Sequence, residues 1–284
     1  MTDNKKPFDV MLKGFFYIRK DIMGKHKKKR LFYDIETSFC KGHFWRPGWN
    51  QNILPHQITE YAKIISIHWK WQGSKITYNL DWGLNKQCDK EMLEKFVKVM
   101  DEADEIITHN GKRFDTPWIR TRCILHGIQM RHTYNEIDTY KLCKKYLNLP
   151  SNSLKEVCKY YGLPAKKDAG GIDTWIGVVY KKDKKDLKHM LFYGDGDIVS
   201  LEAVFEKLRP YVKPNMHYGK LHGGFKFNCP ECGSMPYWSS RYATRAGTVQ
   251  NYMKCKNRDC NTSFKVSNKT YQDYLQHKMI NGLK

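Results

Sequence analysis

The chain has 284 residues, 40% of them hydrophobic and 14% aromatic, which supplies enough apolar side chains for a folded core and argues against global disorder. Its 50 Lys and Arg residues outnumber its 29 Asp and Glu residues and give a formal net charge of +21, so we expect either a polyanionic partner, most often a nucleic acid, or a highly charged surface without one. The sequence contains no run of about 18 apolar residues and no N-terminal signal-peptide core, so we expect neither a membrane span nor a cleaved leader.

The N-terminal segment is strongly basic. Residues 1–30 hold ten Lys or Arg side chains against three Asp. Residues 7–20 are too apolar for a free tail, so we expect residues 1–30 to form a basic extension that packs on the core. The lysine-rich run at 25–30 is either a phosphate-contacting segment or a solvated loop.

The first strand predicted in the chain ends in two acids. Residues 31–33 (LFY) have the composition of a buried strand, and Asp34 and Glu36 follow with one residue between them. Alternate side chains of a strand share a face, so the two carboxylates point the same way. Neighbouring acids in a partly buried place are costly unless a cation lies between them, and Mg²⁺ prefers such oxygen ligands. A solvated edge strand that carries two acids is the alternative.

Strands and helices follow in an order that indicates an α/β domain. The predicted strands are at 62–71, 75–82, 106–108 and 135–138. The predicted helices are at 88–104, 115–126, 153–161 and 186–208, with one more after residue 138 that runs through Leu142, Cys143, Tyr146 and Leu147. The stretch 38–60 is predicted to be irregular, and the last helix is predicted to weaken or break near Gly194 and Gly196. Strands first and alternating helices and short strands afterwards predict a mixed sheet flanked by helices.

Further acids lie at the ends of these elements. Asn110 and Asp115 stand where a short strand passes through a glycine turn into a helix, at the strand end where open sheets bind ligands. Tyr193 and Asp197 are four residues apart and share one helix face, whereas Asp195 points elsewhere. Each of these acids, considered alone, also has an ordinary structural explanation, because acids are common at helix N-termini and on solvated surfaces.

Taken together, these motifs resemble a known nuclease family. Residues 33–37 (YDIET), 110–115 (NGKRFD) and 193–197 (YGDGD) resemble, in order, the three motifs of the DEDD superfamily of 3′–5′ exonucleases. The form is that of the tyrosine subclass, as in the proofreading domains of family B DNA polymerases. The histidine subclass is disfavoured because Phe192 stands where that subclass has its histidine. The resemblance spans residues 31–212 and implies a ribonuclease-H-like fold.

The resemblance also implies a two-metal site. In the family's pattern, two Mg²⁺ or Mn²⁺ ions about 4 Å apart promote phosphodiester hydrolysis. Asp34 would contact both ions, and Glu36 and Asp197 would hold the ion that activates the water. Asp115 would hold the other ion, and the Tyr193 hydroxyl would orient the attacking water.

A substrate and a reaction follow from the same resemblance. Thr37, Asn110 and Phe114 would contact the terminal nucleotide, although packing of Phe114 into the core is an open alternative. We expect hydrolysis of single-stranded DNA from its 3′ end to nucleoside monophosphates in replication or repair, by the protein alone or in the service of a separate polymerase. An exoribonuclease resembling ribonuclease D and a non-catalytic nucleic-acid-binding protein are the alternatives.

Near the C-terminus, four of the nine cysteines form two closely spaced pairs. These are Cys229, Cys232, Cys255 and Cys260. Four thiolates at this spacing bind one zinc ion tetrahedrally and leave no open position, which predicts a structural zinc. We expect a zinc ribbon over 225–284 after a linker at 213–224, and the ribbon binds either nucleic acid or protein. Scattered remaining cysteines favour a reducing, intracellular location such as the cytoplasm, or the host cytoplasm if the protein is viral.

Overall fold

The computed structural model describes residues 28–45, 53–164, 170–214 and 216–282. Most of the predicted basic extension, residues 1–27, therefore lies outside the described residues. Two compact units divide the chain, of which the larger is Lys29–Tyr211. Lys28 and the described residues from Val212 onward belong to the smaller unit.

The larger unit is built on a five-stranded mixed sheet with the order β5-β4-β1-β6-β7. Its strands are β1 (Arg30–Thr37), β4 (Ile64–Trp71), β5 (Tyr78–Asp81), β6 (Glu105–Thr108) and β7 (Glu136–Asp138). The pairs β1–β4 and β4–β5 are antiparallel, whereas β1–β6 and β6–β7 are parallel. Two short strands, β2 (Lys41–Gly42) and β3 (Ile58–Glu60), pair with each other outside this sheet, within the stretch that was predicted to be irregular.

Helices cover both faces of the sheet, as the sequence predicts. They are α1 (Lys90–Asp101), α2 (Asp115–His126), α3 (Thr139–Tyr146), α4 (Leu154–Tyr161), α5 (Gly171–Ile176) and α6 (Lys184–Leu208). Leu31 and Tyr33 of the central strand pack with α1 and α2 in one core cluster. Phe32 points to the other face, where its ring meets Phe205 of α6 edge to face at 5.4 Å.

Two features of the helical half differ from the prediction. The helix α6 runs unbroken through Gly194 and Gly196, so the predicted break is wrong. The helix α5 and the π-helical turn Gly177–Lys181 that follows it were not predicted. The weak periodicity of these short elements explains why the sequence pattern gave no sign of them.

The smaller unit is a three-stranded antiparallel sheet with the order β10-β9-β8 and one long helix. Its elements are α7 (Tyr218–Leu221), β8 (Pro236–Ala243), β9 (Val249–Cys255), β10 (Ser263–Ser267) and α8 (Asn268–Ile280). Its apolar core includes Phe227, Met253, Val266 and Tyr274. The short helix α7, with its buried Tyr218, lies inside the stretch that was predicted to be a linker. In the part of the chain that the structure describes, no helix has the length and apolar character needed to cross a membrane.

Candidate active site

The central strand aims its two acids at the longest helix of the unit. Side chains alternate along β1, so Asp34 and Glu36 share the face of Phe32, which packs on α6. In the antiparallel register Asp34 pairs with His68 and Glu36 with Ser66. Both acids are only partly buried. The strand therefore holds two carboxylates on one side of a buried sheet while leaving them accessible.

The helix α6 supplies the third acid. Tyr193 and Asp197 lie one helical turn apart, and they are only 5% and 2% exposed. Asp34, Glu36 and Asp197 each offer a carboxylate oxygen, and these oxygens all lie within 4.8 Å of one another. Three negative charges at this spacing repel one another unless a cation is shared among them. Their chemistry fits hard divalent ions such as Mg²⁺ or Mn²⁺, which bind through carboxylate oxygens.

The fourth predicted acid lies beside this group of three. Asp115 is the first residue of α2 and is 2% exposed. Its Oδ1 accepts a hydrogen bond from the backbone N–H of Ile35 at 3.1 Å, between the two acids of β1. Burial, and then the negative charge of Asp34, raise the pKa of Asp115 well above its usual value. A cation near Asp34 would offset both causes, so the position of Asp115 suits a second ion.

The predicted nucleotide-contacting residues lie in three different places in the larger unit. Thr37 ends β1, and its carbonyl accepts a hydrogen bond from the Trp175 indole at 3.0 Å. Asn110 has a left-handed backbone with φ of 69°, and its N–H donates to Asp138 at 2.9 Å. Phe114, at the start of α2, is 41% exposed. The Phe114 ring is partly exposed and packs against Trp118, with 6.2 Å between the ring centroids, so contact with a nucleotide stays a prediction.

A buried histidine that the sequence analysis did not single out joins α6 to the sheet. His68 is fully buried, and its Nδ1 lies 2.9 Å from Oδ1 of Asp195. Its Nε2 lies 2.9 Å from the Ser66 hydroxyl. Asn79 donates to both carboxylate oxygens of Asp195 at 3.1 and 2.9 Å. These contacts hold α6 to the sheet between Tyr193 and Asp197, the two predicted site residues of this helix.

The same histidine explains one of the helix glycines. A Cβ on Gly194 would lie 2.4 Å from Nε2 of His68, whereas a Cβ on Gly196 would meet nothing within 4 Å. The absence of a side chain at Gly194 therefore lets the helix backbone lie close to strand β4. His68 is one of three polar residues, with Ser66 and Lys70, in an otherwise apolar buried strand, and such a position was the available sign of a buried contact.

In the smaller unit the four clustered cysteines converge. Their sulfur atoms lie within 4.8 Å of one another, with 3.7 Å between Sγ of Cys229 and Cys260 and 3.4 Å between Sγ of Cys232 and Cys255. A tetrahedron of sulfurs about 2.3 Å from a central ion has edges of roughly 3.8 Å. Hydrogen bonds among the four thiols raise the pKa of Cys229 and lower the pKa of Cys232 and of Cys260. The donor set and its spacing fit a closed tetrahedral metal site.

The fold and the acids together define a class. The sheet is mixed and has helices on both faces, and the acids of its central strand β1 face the long helix α6. This arrangement is ribonuclease-H-like. A family model described as the RNase_H superfamily matches residues 57–209. The chain belongs to the RNase_H superfamily.

Similar proteins include archaeal DNA polymerases. The chain is 26% identical over 187 residues to a DNA polymerase of Thermococcus hydrothermalis, and the match covers 56% of this chain and 11% of that protein. It is 27% identical over 187 residues to a DNA polymerase of Pyrococcus glycovorans, with 56% and 23% covered. The family B DNA polymerase of Pyrobaculum calidifontis has a similar fold, with a TM-score of 0.51, 17% identity, and coverage of 66% of this chain and 25% of that one. The chain thus matches a tenth to a quarter of these longer proteins.

Proposed function

We propose that the protein is a metal-dependent 3′–5′ exonuclease that acts on single-stranded DNA. The observation that carries the proposal is the convergence of carboxylate oxygens of Asp34, Glu36 and Asp197 within 4.8 Å of one another. Asp115 lies beside them and accepts a hydrogen bond from the Ile35 backbone at 3.1 Å. The superfamily and the similarity to DNA polymerases support a nuclease. Placing three carboxylates together in a partly buried site costs free energy, and a protein that only binds nucleic acid has no need of such a group.

Two divalent ions are proposed to occupy the site. Asp34 would contact both, Glu36 and Asp197 would hold one, and Asp115 would hold the other. When bound, such ions neutralise phosphate charge and make a coordinated water more acidic. The buried Tyr193 lies one turn from Asp197, so its hydroxyl is proposed to orient the attacking water. A phenol, whose ordinary pKa is about 10, is a poor base by itself.

The smaller unit is proposed to hold one structural zinc. Four thiolates leave no open coordination position, so this ion would stabilise the fold and take no part in hydrolysis. A segment of this size has a small core, and a bound metal supplies the missing folding free energy.

The direct test is hydrolysis by the purified protein with Mg²⁺ or Mn²⁺. The substrates are 5′-labelled single-stranded DNA, RNA of equal sequence, and closed circular single-stranded DNA. We expect a ladder that shortens from the 3′ end of linear DNA and no cleavage of the circle. Asp34→Ala should lower the rate by about 10²-fold or more, the usual cost of losing one group that stabilises transition-state charge. Glu94→Ala, which removes an exposed acid on α1, should leave the rate unchanged.

Each other outcome points elsewhere. Activity retained in Asp34→Ala would refute the site. Preference for RNA would favour the exoribonuclease, and cleavage of the circle would indicate an endonuclease. Binding without degradation of any substrate would indicate a non-catalytic nucleic-acid-binding protein.

A further inference from the structure

The three-stranded sheet of the smaller unit has two unlike faces. Register and alternation place Met253 and Val266 on the face that packs under α8, with Tyr274 of that helix. The opposite face, here called the outer face, has none of the described helices of this unit against it. Its side chains include three tyrosines and two lysines, namely Tyr237, Tyr242, Tyr252, Lys254 and Lys265.

Register brings these five side chains together. Tyr237 on β8 pairs with Lys254 on β9, and Tyr252 on β9 pairs with Lys265 on β10. The Lys265 ammonium lies 5.0 Å from the centre of the Tyr252 ring and 6.0 Å from that of Tyr242. The cluster is thus continuous across all three strands.

The outer face has the exposure and the charge of a binding surface for a polyanion. Tyr237 and Tyr242 are 43% and 49% exposed among the described residues, and neighbouring large rings at a surface often mark a binding site. No residue of the three strands is acidic. The segment 213–284 holds twelve Lys or Arg residues and only three acids.

We propose that the outer face binds single-stranded nucleic acid, with bases stacked on Tyr237, Tyr242 and Tyr252 and phosphates contacted by Lys254 and Lys265. Flat aromatic rings stack on any base, and lysines beside them neutralise the backbone between stacked bases. The choice of this occupant rests on the proposed function of the protein as a nuclease. A binding role for this face goes beyond the hydrolytic site, because none of its residues belongs to the larger unit.

Binding is measured by fluorescence anisotropy with fluorescein-labelled oligothymidylate and full-length protein loaded with zinc. All variants carry Asp34→Ala, so that the probe survives. The combined change Tyr242→Ala and Tyr252→Ala should raise Kd about fivefold or more for each base that loses its stack. Tyr252→Phe keeps the ring and should retain affinity, and Tyr160→Ala, at an exposed tyrosine of the larger unit, should change nothing.

Salt dependence tests the lysines separately. Lys254→Ala combined with Lys265→Ala should flatten the plot of log Kd against log salt concentration by about 1.4, the value for two phosphate contacts to a single strand. An unchanged slope together with unchanged affinity in the tyrosine variant would refute the proposal and indicate a protein partner for this face. Hydrolysis of a dinucleotide by the same variants with Asp34 restored should stay normal. If none of the proteins with Asp34 restored hydrolyses the dinucleotide, but the tyrosine changes still weaken binding, the proposed nuclease function is refuted and the proposed binding surface is supported.

Discussion

The two glycines of α6 provide a sharp test of how the sheet holds this helix. Both lie in the same helix, two residues apart, and flank Asp195. Alanine is favoured over glycine in a helix by about 1 kcal/mol, so both replacements begin with the same gain. They differ in their surroundings, since a methyl group at Gly194 would lie 2.4 to 2.6 Å from three atoms of the His68 ring.

The expected difference follows from that contact. The His68 ring is held by hydrogen bonds on both nitrogens, so it cannot move aside without losing them. Forcing an extra methyl into a packed core costs about 1–3 kcal/mol. Gly196→Ala should therefore stabilise the protein by about 1 kcal/mol, and Gly194→Ala should be less stable than Gly196→Ala by about 1–3 kcal/mol. Only Gly194→Ala should also slow hydrolysis, because it displaces Tyr193 and Asp197.

Calorimetry and urea unfolding measure the stabilities, and the exonuclease assay measures the rate. A double-mutant cycle with His68→Ala tests whether the contact with the His68 ring causes the loss of stability. Removal of the ring should leave room for the new methyl group at position 194. The coupling free energy between Gly194→Ala and His68→Ala should then be about 1–3 kcal/mol in the direction of relief. Equal stability of the two alanine variants, or zero coupling, would refute the contact.

Two further predictions concern the buried ion pair of Asp89 and the four-cysteine cluster. Asp89 is fully buried and accepts from Arg122 at 2.6 and 2.8 Å and from His126 at 2.7 Å, so Asp89→Asn should cost about 3–5 kcal/mol in urea unfolding at neutral pH. Burial alone would raise the pKa of Asp89, but these hydrogen bonds outweigh burial and lower the pKa. The stabilisation by the carboxylate is therefore complete above the unfolded pKa near 3.9 and should vanish as the pH falls through the lower folded pKa. An equal loss of stability on Asp89→Asn in acid and at neutral pH would contradict this assignment. In the second prediction, Cys255→Ser should abolish zinc binding, measured as the zinc content of the purified protein by mass spectrometry. Cys40→Ser, which changes an exposed cysteine outside the cluster, should keep the zinc. Retained zinc in both variants would contradict the site.

Much of the site could be predicted because its signals are local. An apolar strand that ends in Asp34 and Glu36, and a helix that carries Tyr193 and Asp197 one turn apart, are patterns within a few residues of sequence. The two cysteine pairs are equally local. In each case the spacing along the chain sets the direction of the side chains, because strands and helices have fixed periods.

Errors in the helical half came from applying local propensity where packing decides. Two glycines weaken an isolated helix, which predicted a break in α6. In the folded protein the helix is continuous because Gly194 lets it approach β4, and the contacts of Asp195 with His68 and Asn79 hold it there. Close packing of a helix against a sheet outweighs a propensity cost of about 1 kcal/mol per glycine.

The sequence by itself therefore determined the α/β class, the identity of the acids and the two cysteine pairs. The tertiary structure alone decided that Asp197 meets Asp34 and Glu36, while Asp115 lies beside them bonded to the Ile35 backbone. It also decided which face of the three-stranded sheet carries its tyrosines and lysines. The physical reason is that contacts between distant segments depend on strand register and helix packing, which no short stretch of chain encodes.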